Sequence, residues 1–142
     1  MSETILFHTE EINFSLADAE KIKQWLLTLV AQHEQSVHEL NYIFCSDEYL
    51  LGLNKQYLAH DYYTDILTFP YEHPEETGLW SDIYISIDRV RENAQSFQSN
   101  FEDELHRVMA HGVLHLLGFD DHGEAEPEMR QQEKNALALR QF

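Results

Sequence analysis

Hydrophobic and polar positions change period several times along this chain, and each change marks an element. A short apolar run at residues 5–9 predicts a first strand. Leu16, Ala19, Ile22, Lys23, Leu26, Leu27 and Val30 then recur at three-and-four spacing, with Trp25 and Leu29 widening the stripe, so a long amphipathic helix follows and packs on something flat. Residues 38–45 alternate and then turn wholly apolar from Tyr42 to Cys45, which suits a strand whose second half is covered on both faces. Ser46 reads as an N-cap, with Asp47 and Glu48 favourable against the dipole of a helix running through Leu50, Leu51, Leu53, Asn54 and Tyr57.

The apolar, β-branched run at residues 64–70 ends in proline and predicts a third strand; residues 80–87 alternate strictly and predict a fourth. Residues 72–78 between them are the most loop-like stretch of the chain, so the two strands are expected to form a hairpin-like pair. Asp88 is the expected cap of a helix through Val90, Ala94 and Phe97, and Ser99-Asn100-Phe101-Glu102 has capping-box spacing, so another helix starts near Asn100. Pro127 opens a last helix whose Met129, Leu137 and Leu139 dock on the rest. The pattern predicts an α+β fold, a small mixed four-stranded sheet covered by helices, as a single domain over residues 1–142.

The chemistry concentrates in residues 111–122, His-Gly-Val-Leu-His-Leu-Leu-Gly-Phe-Asp-Asp-His. Residues four apart stand one turn above each other, so His111 and His115 can aim at a single metal ion. Gly118 is placed to stop the helix, and a chain turning there can bring Asp121 or His122 to the same ion as a third ligand. Three protein ligands with open positions describe a catalytic site rather than a structural one. On the wheel of this helix Leu105, Met109, Gly112, Val113 and Leu116 share one side; Glu104, Arg107, His111 and His115 share the other, a polar face carrying the ligands. His106 falls opposite His111 and receives no role.

Composition narrows the partners. Nine Lys plus Arg stand against 26 Asp plus Glu, a net charge of -17 that repels polyanions and argues against indiscriminate binding of DNA, RNA or anionic membranes. A bound divalent cation would offset the field locally, and a protein partner could deliver an anionic substrate. With 142 residues and 43% hydrophobic positions the chain can build one core. The opening residues lack a cationic segment and long apolar run, and no later run approaches the ~20 apolar residues of a membrane span, so a cytoplasmic location is expected. Cys45, the single cysteine, sits in an apolar run where a buried, inert thiol is expected.

The segment His111-Gly112-Val113-Leu114-His115-Leu116-Leu117-Gly118-Phe119-Asp120 resembles the hallmark of the YbeY family of rRNA maturation factors, His-Gly-x-Leu-His-Leu-x-Gly-Tyr-Asp-His. Thr64-Asp65-Ile66-Leu67-Thr68-Phe69-Pro70 and Ser81-Asp82-Ile83-Tyr84-Ile85-Ser86 resemble two further blocks of that family. The resemblance implies a single-domain, metal-dependent endoribonuclease, with zinc the expected ion, acting on single-stranded rRNA in 3′-end maturation and ribosome quality control. Its implied partners are rRNA and the small ribosomal subunit, with a ribosomal protein or assembly GTPase besides, and neither DNA nor membrane. Two departures stand out. The family's third histidine falls where this chain has Asp121, with His122 one residue on, so the third ligand is Asp121 without an insertion or His122 with one. The family's arginine after a tyrosine in the second helix is replaced by Leu58; Arg107, a turn before His111, is the candidate cation in its stead.

Gly112 occupies the position where the similar metal helix of metalloproteases carries its general-base glutamate, which turns the reading from peptide toward phosphodiester. A base would then come from the metal hydroxide itself or from a nearby acid such as whichever of Asp120 and Asp121 is not a ligand. Lys55, Arg89, Arg91 and Arg107 are candidate RNA contacts, and Tyr62, Tyr63 and Trp80 candidate stacking surfaces. Asp65 and Asp82 are expected to hold turns or to orient a ligand histidine through its second nitrogen. The alternatives are a ribosome-assembly factor whose metal is structural and, disfavoured by Gly112, a metallopeptidase.

Overall fold

A computed structural model describes residues 3–72 and 77–142. Nine longer elements follow the order β1 (Thr4–Glu10), α1 (Ala19–Gln32), β2 (Val37–Cys45), α2 (Asp47–Leu58), β3 (Ile66–Pro70), β4 (Leu79–Ser86), α3 (Ile87–Ser96), α4 (Phe101–Leu116) and α5 (Glu126–Ala138), with a 3-10 turn, Gly123–Ala125, before α5. The sheet order is β1-β2-β4-β3, parallel throughout except for β3, which runs antiparallel to β4, so the sheet is mixed. Residues 73–76 of the expected β3–β4 loop lie outside the described residues.

The alternation along β2 decides what each face buries. Leu40, Tyr42 and Phe44 point with Ile83 and Ile85 of β4 into the main core, where they meet Ile22, Leu26 and Leu29 of α1 and Leu105, Met109 and Val113 of α4. Cys45 joins Leu50 of α2 and Leu67 of β3 in a smaller cluster on the second face. Both faces of the second half of β2 are therefore covered, which accounts for its continuous apolar run. Burial pushes the Cys45 thiol up to about 12, aided by the negative charge of Asp47, so it is inert as expected. Among the described residues no helix is long and apolar enough to cross a membrane.

One expectation needs correcting. The cap of α3 is Ser86, whose hydroxyl accepts from Arg89 N at 3.0 Å; Asp88 lies inside the first turn and instead accepts from Asp47 N at 2.9 Å. Ile87 is fully buried from a helical first turn as readily as from a strand, so alternation alone misplaced the boundary by two residues. α4 starts where expected: its cap is Asn100, which accepts from Asp103 N. The polar face of α4 is covered rather than open to solvent, a point its pattern left undecided: Glu104 is only 3% exposed, because α5 lies over it.

His106, which had no assigned role, is buried against Trp25 and Phe142, and Arg140 Nη1 donates to its Nδ1 at 2.8 Å. Burial, and the neighbouring Arg140 charge, push it down from 6.5 to about 4. Below pH 6.5 the unfolded chain takes up a proton that the folded chain refuses until about pH 4, so stability falls as pH drops through that window. The full loss is about 3 kcal/mol. Urea melts at intervals between pH 7 and pH 4.5 are expected to show a steeper decline for the native chain than for His106→Gln; parallel slopes would contradict it.

Candidate metal centre and cleft

The twelve-residue segment starts inside α4 and leaves it by a defined stop. Gly118 N donates to His115 O at 3.0 Å and Phe119 N to Leu114 O at 3.1 Å, the paired bonds of a Schellman ending, with Gly118 at φ +108° as only glycine readily allows. The chain reverses there as expected and returns Asp121 to the helix: His111 Nε2 lies 3.3 Å from Asp121 Oδ2. The other oxygen of Asp121 lies 3.5 Å from Nε2 of His122, whose side chain is 85% exposed. Of the two candidates for third ligand, Asp121 is thus the one against His111. Among the described residues, the group of three whose donor atoms lie within 4.8 Å of one another is Asp120, Asp121 and His122. His111 joins it through Asp121, and His115 faces the same cleft.

Gly112 makes this placement possible. A Cβ there would stand 2.9 Å from Ile66 Cδ1 and 3.2 Å from Ile83 Cγ2, so α4 presses directly on β3 and β4 and carries His111 against the sheet edge. A glutamate at this position would have to start from a Cβ pressed on Ile66 and Ile83 of the sheet. Gly112→Glu is expected to destabilise by at least about 3 kcal/mol through overpacking and burial of a charge, read as a collapse of the urea midpoint; a native-like melt would contradict the close approach.

The second nitrogen of His111 is held by a residue that sequence reasoning missed. Glu133 Oε2 on α5 lies 2.7 Å from His111 Nδ1 and is itself 2% exposed. Arg130 Nη1 donates to Glu133 Oε1 at 2.6 Å and Arg107 Nη1 does so at 3.1 Å. Burial works to raise the Glu133 carboxyl, but the His111 bond and the Arg107 charge outweigh it and hold it below its ordinary value. A carboxylate on Nδ1 leaves Nε2 as the nitrogen free to ligate, the usual support of a metal-binding imidazole. The available signal was that Met129, Glu133 and Ala136 share one helical face, a glutamate in a buried stripe.

The other candidates divide between the cleft and its surroundings. Arg107 Nε and Nη2 donate to Glu104, at 3.0 and 2.7 Å, and Arg107 lies behind His111 rather than among the residues lining the cleft. Asp65 does line it, half-buried, 4.0 Å from Arg107 Nη2; burial raises its carboxyl above the ordinary value, opposed by the charge of Arg107. Asp82 orients no histidine: it accepts from the Tyr71 hydroxyl at 2.7 Å and from Asn41 Nδ2 at 3.2 Å, tying strands together. Asp120 is exposed and accepts from His122 N at 3.2 Å.

Lys55 pairs with Asp61, Arg89 with Asp47 and Glu92, and Arg91 stacks on Phe101. Trp80 packs on Tyr71 and His38 in the sheet. Tyr62 lines the cleft, while Tyr63 stands beside it, bonded to Glu48 and under Arg89.

The cleft has a volume of about 490 Å³. One wall is α4 and the segment after it, with His111, His115, Asp121 and His122; another is the end of α2 and the following loop, with Leu58, His60 and Tyr62. Imidazole nitrogen and carboxylate oxygen in reach of one point, with the second nitrogen of His111 already engaged, are a donor set that fits zinc.

A family model described as Endoribonuclease YbeY matches residues 4–140. A protein of Cytophaga hutchinsonii named Endoribonuclease YbeY is 51% identical over 142 residues, covering 99% of this chain and 98% of its own. One of the same name from Bacteroides thetaiotaomicron is 42% identical over 137 residues, covering 96% of this chain and 98% of its own. Among solved structures, the solution structure of TM1509 from Thermotoga maritima superposes with a TM-score of 0.65 at 31% identity, covering 95% of this chain and 87% of that one.

Proposed function

The chain belongs to the YbeY endoribonuclease family, and on that premise we propose that it is a zinc-dependent hydrolase of single-stranded RNA that acts in the cytoplasm on the 3′ end of precursor rRNA. The observation that carries the proposal is the 3.3 Å approach of His111 Nε2 to Asp121 Oδ2 inside a cleft, with Nδ1 held by Glu133. His111, His115 and Asp121 would hold the ion, with His122 beside Asp121. Bound there, a zinc ion supplies a Lewis acid for a phosphoryl oxygen. The residues of the chain do the rest. Glu133 keeps the His111 ring in place, and Gly112 keeps the helix against the sheet. Asp65, raised by burial and lining the cleft, replaces Asp120 as the carboxylate placed to take a proton from the attacking water. A net charge of -17 suits a chain whose RNA is presented by a basic protein of the small ribosomal subunit or an assembly GTPase rather than captured from solution.

The test is digestion of labelled single-stranded RNA, duplex RNA and casein by zinc-loaded and chelator-treated protein. Cleavage confined to single-stranded RNA and lost with zinc is the expected result; equal cleavage without metal, or hydrolysis of casein alone, overturns the proposal.

A second reading, an assembly factor with a structural metal, is favoured by one observation: Leu58 lines the cleft where the family's arginine would stand. Growth of a deletion strain restored by a well-folded His115→Ala protein would select it.

A further inference from the structure

Among the described residues, no lysine or arginine lines the cleft. Among the described residues, the lining offers a phosphodiester four imidazoles as its nitrogen groups able to carry a proton, and three of them, His111, His115 and His122, belong to the metal wall. The fourth is His60, in the loop after α2.

This imidazole is held by a small hydrogen-bonded frame. The backbone N–H of His60 donates to Asn54 O at 3.1 Å, and Asn54 Nδ2 donates to Tyr62 O at 2.9 Å, so one buried residue of α2 pins both ends of the His60–Tyr62 turn, the first through its backbone carbonyl and the second through its side-chain amide. The Tyr62 hydroxyl lies 2.9 Å from His60 Nδ1 and the rings stack with centroids 5.1 Å apart. A hydroxyl donating to Nδ1 keeps the proton of a neutral imidazole on Nε2, and an imidazolium carries one there as well. With that tautomer, or with the imidazolium, Nε2 is a donor, and no described residue takes it up.

Resting on the ribonuclease reading above, we propose that His60 is a catalytic residue that takes the place of the arginine absent at Leu58. It donates from Nε2 to the scissile phosphodiester, and Tyr62 is its positioning residue. As water adds to phosphorus, its proton passes to Asp65; as the phosphorus–oxygen bond to the leaving ribose breaks, the imidazolium proton passes to that oxygen, and solvent returns a proton from Asp65 to His60. The products are a phosphomonoester and an alcohol. The charged and titratable groups around His60 are the Lys55–Asp61 pair, on α2 and in the loop after it and outside the lining of the cleft, and, within the lining, Asp65 with His111, His115, Asp121 and His122 from α4 and the segment after it.

The experiment measures cleavage of a labelled single-stranded RNA by the zinc-loaded full chain. His60→Ala is expected to lower kcat about a hundredfold with zinc content and melting unchanged, since the ring is exposed and outside the metal group. Added imidazole restores part of that loss, and Leu58→Arg in the His60→Ala background restores cleavage by putting a cation on the same wall. Tyr62→Phe is expected to lower kcat about tenfold, and the double variant His60→Ala with Tyr62→Phe to be no slower than His60→Ala alone. If the native chain cleaves RNA and His60→Ala keeps its rate within about threefold, or loses zinc, the assignment of His60 is overturned while the ribonuclease reading stands. A zinc-loaded native chain that cleaves no RNA overturns both.

Discussion

His111→Ala is expected to leave a folded protein that neither retains zinc nor cleaves RNA. The fold should survive because the buried carboxylate behind His111 does not depend on it alone: Glu133 keeps Arg130 at 2.6 Å and Arg107 at 3.1 Å when the imidazole is gone. The site should not survive, because His111 is the group that ties Asp121 back to the helix, across 3.3 Å. Electrophilic stabilisation by a bound divalent ion is worth several kcal/mol, so its loss should slow cleavage at least about a thousandfold. His115→Ala should behave in the same way, and since His115 is exposed at the end of α4 it should leave the melt closer still to native. Elemental analysis of the purified variants, beside their urea melts and RNA cleavage rates, checks all three statements. Stoichiometric zinc in a folded His111→Ala protein would overturn the ligand assignment.

Glu133→Gln reaches the same site from behind. Its side chain is 3% exposed and joins His111 of α4 to Arg107 and Arg130 in one network. Removing the charge leaves Arg107 with Glu104 as its near partner and leaves His111 without a carboxylate on Nδ1. Breaking a fully buried pair costs about 3–5 kcal/mol. Arg107 and Arg130 are 23% and 42% exposed, so water screens part of the loss and about 2 kcal/mol is expected. Zinc affinity should fall about ten- to a hundredfold, as it does when the partner of a ligating histidine is lost. The pH dependence has a definite sign. The carboxyl of Glu133 is held below its ordinary 4.5, so its contribution is fully present above that value and is lost as pH falls through the lower folded-state value. A competition titration with a chromogenic zinc chelator and urea melts at pH 7 and pH 4 test this; unchanged zinc affinity in Glu133→Gln would show that the Nδ1 bond does not orient the ring.

The two residues differ in how they could be found. His111 and His115 stand at a spacing that helical geometry converts directly into a shared face, and Gly118 at the position where a left-handed residue ends the helix. Glu133 lies 22 residues from His111, and its partner is chosen by how α5 packs on α4, which no local pattern specifies. The same holds for the polar side of α4: a wheel separates Glu104 and Arg107 from Leu105 and Met109 but does not say whether water or another helix covers them. Asp65 and Asp82 show the limit in its plainest form. They occupy similar places in two similar blocks, yet one lines the cleft beside Arg107 and the other fastens Tyr71 and Asn41. The His60–Tyr62 turn was visible only as polar and aromatic residues between two elements; Asn54 reaching back to Tyr62 O is what makes it a wall of the cleft.

What the amino-acid sequence determined by itself was everything with a short period or a short span: nearly every element, both covered faces of β2, the cap at Ser46, the proline in the first turn of α5, the stop at Gly118 and the pair of imidazoles on α4. What only the tertiary structure decided was which distant groups meet: Glu133 on His111 Nδ1, Asp121 on its Nε2, Arg107 held behind the site by Glu104, and His60 facing the metal wall across a cleft that, among the described residues, no lysine or arginine lines. The physical reason is that periodicity and capping are settled over three or four residues of backbone, whereas the partner of a buried charge is settled by the packing of whole elements, where desolvation makes an unpaired group too costly to leave and so selects among residues far apart in the chain.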